Sequence, residues 1–194
     1  MKLVLLTLVC AVLVGFALGG RWSNLTHLRV RWPGVAILGL VLQLAPVQGR
    51  AWAMAMLYAS FALLIAFAVV NLRARVPGFA AILVGMLLNL VVIGLNGGMP
   101  VSQQALVASH QTDTLVALVQ DGGAKHHLAG PDDRLLFLGD SIAISGLRQA
   151  VSLGDLFAYG GVMWLIVAGM LGRGSARRKE RSPMDRPREA PGVV

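Results

Sequence analysis

Charge is scarce in this 194-residue chain: Asp, Glu, Lys and Arg make up 13 % of it, where an ordinary soluble domain carries about 25 %. The shortage is concentrated, because the intervals 3–20, 32–49, 51–72 and 76–100 contain no charged residue at all. Each is long enough to cross a bilayer, which takes about 17 to 25 largely apolar residues. Cysteine occurs once, as Cys10, which excludes an internal disulfide and a cysteine zinc site. Histidine occurs four times without an HExxH pattern, and His126 and His127, being adjacent, cannot easily converge on one ion from a helix. These absences exclude a soluble enzyme, a secreted disulfide scaffold and a disordered chain. With 56 % apolar residues and a mean hydropathy of +0.71, the chain is read as a polytopic membrane protein. No catalytic residue, metal or cofactor is expected.

Five membrane-spanning helices are expected, at 3–20, 33–49, 52–72, 77–96 and 155–172. The first imitates a signal peptide through Lys2, its apolar run and Ala17-Leu18-Gly19. Export of Arg21, Arg29 and Arg31 would oppose the positive-inside tendency, so it is read as a retained helix. Pro33 and Pro77 sit near helix starts, where a missing backbone N–H costs nothing. Ser152 and Asp155 frame the last helix as a capping box. Of the seventeen Lys and Arg residues, twelve fall on the side of the carboxyl terminus. These are Arg21, Arg29, Arg31, Arg73, Arg75 and seven in the segment 173–194, which is read as a basic, disordered cytoplasmic tail. The expected placement is the plasma membrane, N-terminus outside and C-terminus cytoplasmic. No basic stripe with interleaved aromatics accompanies the tail, so no nucleic-acid partner is expected and the lipid bilayer is the natural one.

Within the membrane domain 1–172, Ala11, Gly15 and Gly19 form a small-residue stripe that fits a contact within the chain, a membrane-protein partner or a homo-oligomer. Gln43 and Asn89 lie at similar depth in their helices, which predicts one interhelical hydrogen bond between them. The segment 97–154 joins helices four and five. Its stretch 101–120 reads as a helix stopped by Asp121-Gly122-Gly123, and 135–147 as an interfacial or re-entrant piece. The apolar stretches 115–119 and 135–144 need a surface to cover, so the segment is predicted to fold over the outer helix ends as a partly helical lid, with Asp140 facing Lys125-His126 or a helix start. The fold class is thus all-α, five spans with an outer lid.

Residues 135–142, LLFLGDSI, resemble the nucleophile block of the GDSL hydrolases, with Ser141 as the serine. The later Gly-x-Asn-Asp and Asp-x-x-His blocks are absent, and no histidine follows His127. A second resemblance covers more of the chain. NGGMPVS (96–102), Lys125-His126, LGD (138–140), SLGD (152–155) and the closing helix resemble an uncharacterised bacterial multi-pass integral-membrane family, one of the domain-of-unknown-function families. The resemblance implies a plasma-membrane protein of about this size and supplies no activity. It directs attention to the outer segment, where the candidate binding residues are Asn89, Asn96, Lys125, His126, Asp140 and Asp155. The functional expectation is an accessory or scaffold subunit of a membrane complex. The alternatives are a small-molecule carrier or binding protein with its site under the lid, and a membrane-embedded enzyme.

Overall fold

The computed structural model describes residues 2–46 and 49–173, so the expected basic tail, apart from Arg173, lies outside the described residues. Three helices are long and apolar enough to cross a membrane: α3 (Arg50–Arg73), α4 (Phe79–Asn96) and α7 (Leu153–Met170). Two further apolar helices are shorter, α1 (Lys2–Ala17) and α2 (Pro33–Leu44). Both stop before the end of their charge-free intervals. Past α1, Gly19 turns into the left-handed region (φ 80°) and Gly20 donates to the Gly15 carbonyl at 2.8 Å, which closes the helix.

The helices pack side by side in the order α2, α3, α4, α7, α1. The central pair, α4 and α7, is antiparallel and approaches backbone to backbone through glycines seven residues apart on both helices. A Cβ on Gly78 would collide with the Gly161 carbonyl, and one on Gly85 with the Gly154 carbonyl; reciprocally, Gly161 and Gly154 face Gly78 and Gly85. On the other flank of α7, Ala11 is fully buried and Gly15 lies against the Met170 side chain. That part of the small-residue stripe is filled from within the chain, whereas Gly19 has open space beside it.

Between the elements, two apolar clusters stack along the bundle. One joins Leu57, Phe61, Val92, Ile93, Met99 and Leu138; the other joins Ala68, Val76 and Phe79, with Phe67 and Phe79 edge to face at 5.2 Å between ring centroids. At the second cluster Asn71, fully buried, receives the Arg31 N–H at 2.7 Å and donates to the Arg31 and Phe67 carbonyls at 2.9 Å. This clamps the entry to α2 against the last turn of α3.

The segment between α4 and α7 is ordered but is not purely helical. It contains β1 (Met99–Val101), α5 (Gln103–Ala108), α6 (Thr112–Asp121), β2 (His126–Leu128), β3 (Ile142–Ile144) and β4 (Gln149–Val151). β1 and β2 pair in parallel, with Met99 opposite His126, and β3 and β4 are antiparallel, with Ile142 opposite Val151. The single helix expected over 101–120 is two, because His110 adopts the left-handed region (φ 56°) and Gln111 folds back to donate to the Leu106 carbonyl at 2.9 Å. The stretch 135–147, expected as an interfacial or re-entrant piece, runs as a 3-10 turn (Leu136–Leu138), β3 and a second 3-10 turn (Ser145–Leu147). Its Leu138 enters the bundle core, while Phe137, like Val116 and Val119 of α6, stays exposed. The apolar stretches therefore cover the helix ends only in part.

The glycine crossing generates a test. Gly85→Ala places a methyl against the Gly154 carbonyl and Ala158, and overpacking of this kind costs about 1 to 3 kcal/mol. Gly94 and Gly160 sit in the same helices with open space beside them. Thermal unfolding in detergent should show a lowered midpoint for Gly85→Ala and an unchanged or raised one for Gly94→Ala and Gly160→Ala.

Candidate functional site

Four of the six sequence candidates, Asn89, Asn96, Lys125 and Asp155, make side-chain hydrogen bonds that fasten the lid or its exit. Asn89 is on the α4 face toward α7 and is nearly buried. It donates to Asp155 Oδ1 at 2.8 Å and accepts from the Ser152 hydroxyl at 2.8 Å. Ser152 and Asp155 form the expected capping box, in which the Asp155 N–H donates to Ser152 Oγ at 2.9 Å and the Ser152 N–H to Asp155 Oδ2 at 3.3 Å. The Gln43–Asn89 bond expected from matched depth is absent. Equal depth brings amides together only on neighbouring helices facing one another, and here α3 lies between α2 and α4.

Asn96 repeats the Asn71 device at the other end of the bundle. It donates to the Val92 carbonyl at 2.8 Å and the Arg134 carbonyl at 2.9 Å, and accepts the Arg134 N–H at 2.7 Å. Lys125 Nζ donates to the Gln43 carbonyl at 2.6 Å, tying the lid to the end of α2. The adjacent histidines diverge. His127 Nε2 lies 2.9 Å from Asp133 Oδ1, while His126 Nε2 is 3.9 Å from Asp140 Oδ2.

Asp140 differs from the other carboxylates of this region. Its backbone bridges β1, donating to the Pro100 carbonyl at 3.0 Å and accepting from the Ser102 N–H at 3.1 Å. The residue is 8 % exposed, yet no donor reaches its carboxyl within hydrogen-bond distance. Asp133, by contrast, accepts from the Gly130 N–H at 2.8 Å as well as facing His127. Burial opposes its charge, but these two partners outweigh burial and hold its carboxyl below the usual range. Burial pushes the Asp140 carboxyl up to about 8, and the Asp155 carboxylate adds to the shift. Desolvation lowers the His126 imidazole; Asp155 acts in the opposite sense, and Lys125 and His127 reinforce the lowering.

Asp140 and His126 line a cleft of about 290 Å³ within the lid, between α6, β1, β2 and β4. Gln111, Thr114 and Lys125 contribute polar edges, and Val101, Leu106 and Leu118 an aliphatic wall. A more open concavity beside α5, lined by Ser102, Gln103, Gln104, Val107, Ala108 and Ala129, holds no titratable side chain. Gln111 and Thr114 were not singled out as binding candidates from the sequence. They reach the cleft because the break at His110 swings α6 away from the line of α5. Among the described residues, no three His, Cys, Asp or Glu side chains are grouped to hold a metal ion.

The arrangement defines a mostly helical protein with three membrane-length apolar helices and a small polar cleft in its lid. Residues 27–167 match the model of DUF5317, a family of unknown function, and the chain belongs to that family. The matched region takes in the lid and α2 to α4, and most of α7. No curated protein and no solved structure matches the chain.

The unpartnered carboxyl has a pH signature. Below about pH 4 the folded and unfolded chains both hold the Asp140 proton; between about 4 and 8 only the folded chain keeps it. Its contribution to stability therefore falls as pH rises through this window, by up to about 1.4 kcal/mol per pH unit for one proton. Unfolding midpoints of Asp140→Asn should be higher than wild type at pH 7.5 and should vary less between pH 5 and 8.

Proposed function

We propose that the protein is a five-span plasma-membrane protein, N-terminus outside and C-terminus cytoplasmic, whose outer lid holds a binding site for a small polar molecule. The observation that carries the binding function is the lid cleft, where a buried carboxyl without a hydrogen-bond donor opens into a space the size of a small ligand site. A carboxyl in that setting is costly unless something pairs with it. This favours the binding alternative over an accessory-subunit role.

Five spans are supported by where the short helices end. The Leu3 N–H donates to Gln149 of the lid at 2.8 Å, and at the other end of α1 the Arg21 N–H donates to the Met170 carbonyl at 2.9 Å. α1 thus runs alongside α7 from lid to opposite end. α2 runs from the Asn71 clamp to the Lys125 contact, again from one level to the other. The helical part of α2, twelve residues, rises only about 18 Å, so extended flanks and local bilayer thinning would complete the crossing. Exposed Trp52 and Phe157 near the lid, and Trp22 and Trp32 at the opposite end, suit the two interfacial belts. Arg21, Arg29, Arg31, Arg73 and Arg75 share the end away from the lid, which supports a cytoplasmic assignment for it.

Orientation is tested in a Cys10→Ala background by Asp132→Cys in the lid and Arg73→Cys at the end of α3. An impermeant thiol reagent should label the first in intact cells and the second only after permeabilisation; the reverse pattern would invert the topology. Binding is tested by unfolding the protein in nanodiscs against small amino acids, amines, carboxylic acids and sugars at millimolar concentration. One class should raise the midpoint, the stabilisation reaching about 2.7 kcal/mol at a hundredfold excess over Kd. The rise should vanish in Ala124→Trp, which fills the cleft from an exposed position. If no class shifts wild type and a stoichiometric membrane protein accompanies it through purification, the accessory role replaces the binding one.

A further inference from the structure

The lid cleft has an imbalance between hydrogen-bond donors and acceptors that identifies what it would hold. Two of its donor groups already have acceptors outside the cleft. The Lys125 ammonium is on the Gln43 carbonyl at 2.6 Å, and the Gln111 side-chain amide N–H is on Ser109 Oγ at 2.8 Å. Its acceptors are open. The Asp140 side chain, 11 % exposed, has no donor within hydrogen-bond distance, and the geometry that sends the Gln111 amide nitrogen to Ser109 leaves its oxygen available. The two other lid-region carboxylates with buried surroundings, Asp133 and Asp155, are each held by two donors, so the deficit at Asp140 is local to the cleft.

We propose that the cleft binds a small primary ammonium ion, with the Asp140 carboxylate as counter-ion and the wall of Val101, Leu106 and Leu118 seating a short hydrocarbon chain. The inference rests on the binding function proposed above and names its ligand class. A primary ammonium brings three donors and no acceptor, which matches a cleft whose Asp140 carboxyl and Gln111 oxygen lack donors. A carboxylate ligand would meet the reverse, two carboxyls at Asp140 and Asp155 and a lysine already engaged. A quaternary ammonium is recognised by the faces of Trp, Tyr or Phe, and none of these is among the residues lining the cleft.

The binding is linked to protons. Around Asp140 stand His126 and Lys125 from the β2 edge and Asp155 and Tyr159 from α7. The empty cleft keeps Asp140 protonated to about pH 8. Entry of R–NH3+ displaces that proton to solvent and leaves an ammonium–carboxylate pair, so one cation enters as one proton leaves and the net charge of the cleft is unchanged. Affinity therefore tightens about tenfold from pH 6 to 7 and levels off above 8.

The test is calorimetric titration of the full-length protein in nanodiscs with n-butylammonium, butyrate and butyramide, three probes of one chain length that differ in the head group. The expected result is binding of n-butylammonium at least tenfold tighter than of the other two, tightening from pH 6 to 8. Asp140→Asn should weaken it at least tenfold and abolish the pH dependence. Asp132→Asn, on the exposed lid surface, should bind as wild type. Asp140→Asn substitutes a neutral isostere for a buried carboxyl that has no hydrogen-bond donor, and its unfolding midpoint verifies that it folds. Tighter binding of butyrate or butyramide, or equal n-butylammonium binding by Asp140→Asn, overturns the ammonium assignment while leaving a binding cleft in place. Absence of any ligand-induced shift, here and in the broader solute panel, removes the binding function together with it.

Discussion

The backbone approach of α4 and α7 sets the geometry on which the rest of the molecule depends. Helices rarely come this near unless side chains are missing from both surfaces, and here Gly78 and Gly85 meet Gly161 and Gly154. The closeness lets the short side chain of Asn89 reach across to Ser152 and Asp155. A bulkier pair would separate the helices beyond the span of an amide. Because Asn89 is then bonded to the first turn of α7, the chain leaving α4 and the chain entering α7 are brought to one end, and everything between them must fold above that end.

Much of this could be read from the chain before its structure. The four charge-free intervals located four of the five apolar helices, since charge in such a run is costly wherever it is buried, the apolar run that follows Asp155 located the fifth, and the capping box at Ser152 and Asp155 was visible from spacing alone. Helix ends were less legible, as Gly19 and Ala45 terminate their helices through local backbone geometry rather than hydropathy. The partner of Asn89 was not legible at all, because depth is a property of one helix and adjacency a property of the packing. Asn71 escaped notice for a related reason. It lies at the edge of an apolar run, where an amide is unremarkable until a passing backbone such as that of Arg31 is seen against it. The three-residue strands of the lid are too short for alternation to register.

The candidate residues divide by what their side chains are already doing. Asn89, Asn96 and Asp155 are consumed by hydrogen bonds that join elements, and Lys125 by the carbonyl of Gln43. Asp140 and His126 keep capacity to spare. Composition marked all six as polar groups in an apolar neighbourhood, but only the count of partners separates fasteners from groups free to meet a ligand. The same count brings in Gln111, whose open oxygen follows from a bond made by its nitrogen.

The lid is fastened to every helix of the bundle: to α1 through Leu3 and Gln149, to α2 through Gln43 and Lys125, to α3 through Arg50, which donates to Gly97 at 2.9 Å, to α4 through Asn96 and Arg134, and to α7 through Ser152 and Asp155. Each pin closes a further loop and carries its own closure entropy, so the contacts that hold a chain pinned at intervals must offset that cost together, and the chain loses the freedom to lift as a flap. Opening it releases helix ends in the same event. Lid and bundle therefore make a single cooperative unit, and amide exchange in the lid reports the opening of the whole fold rather than the fluctuation of a surface loop.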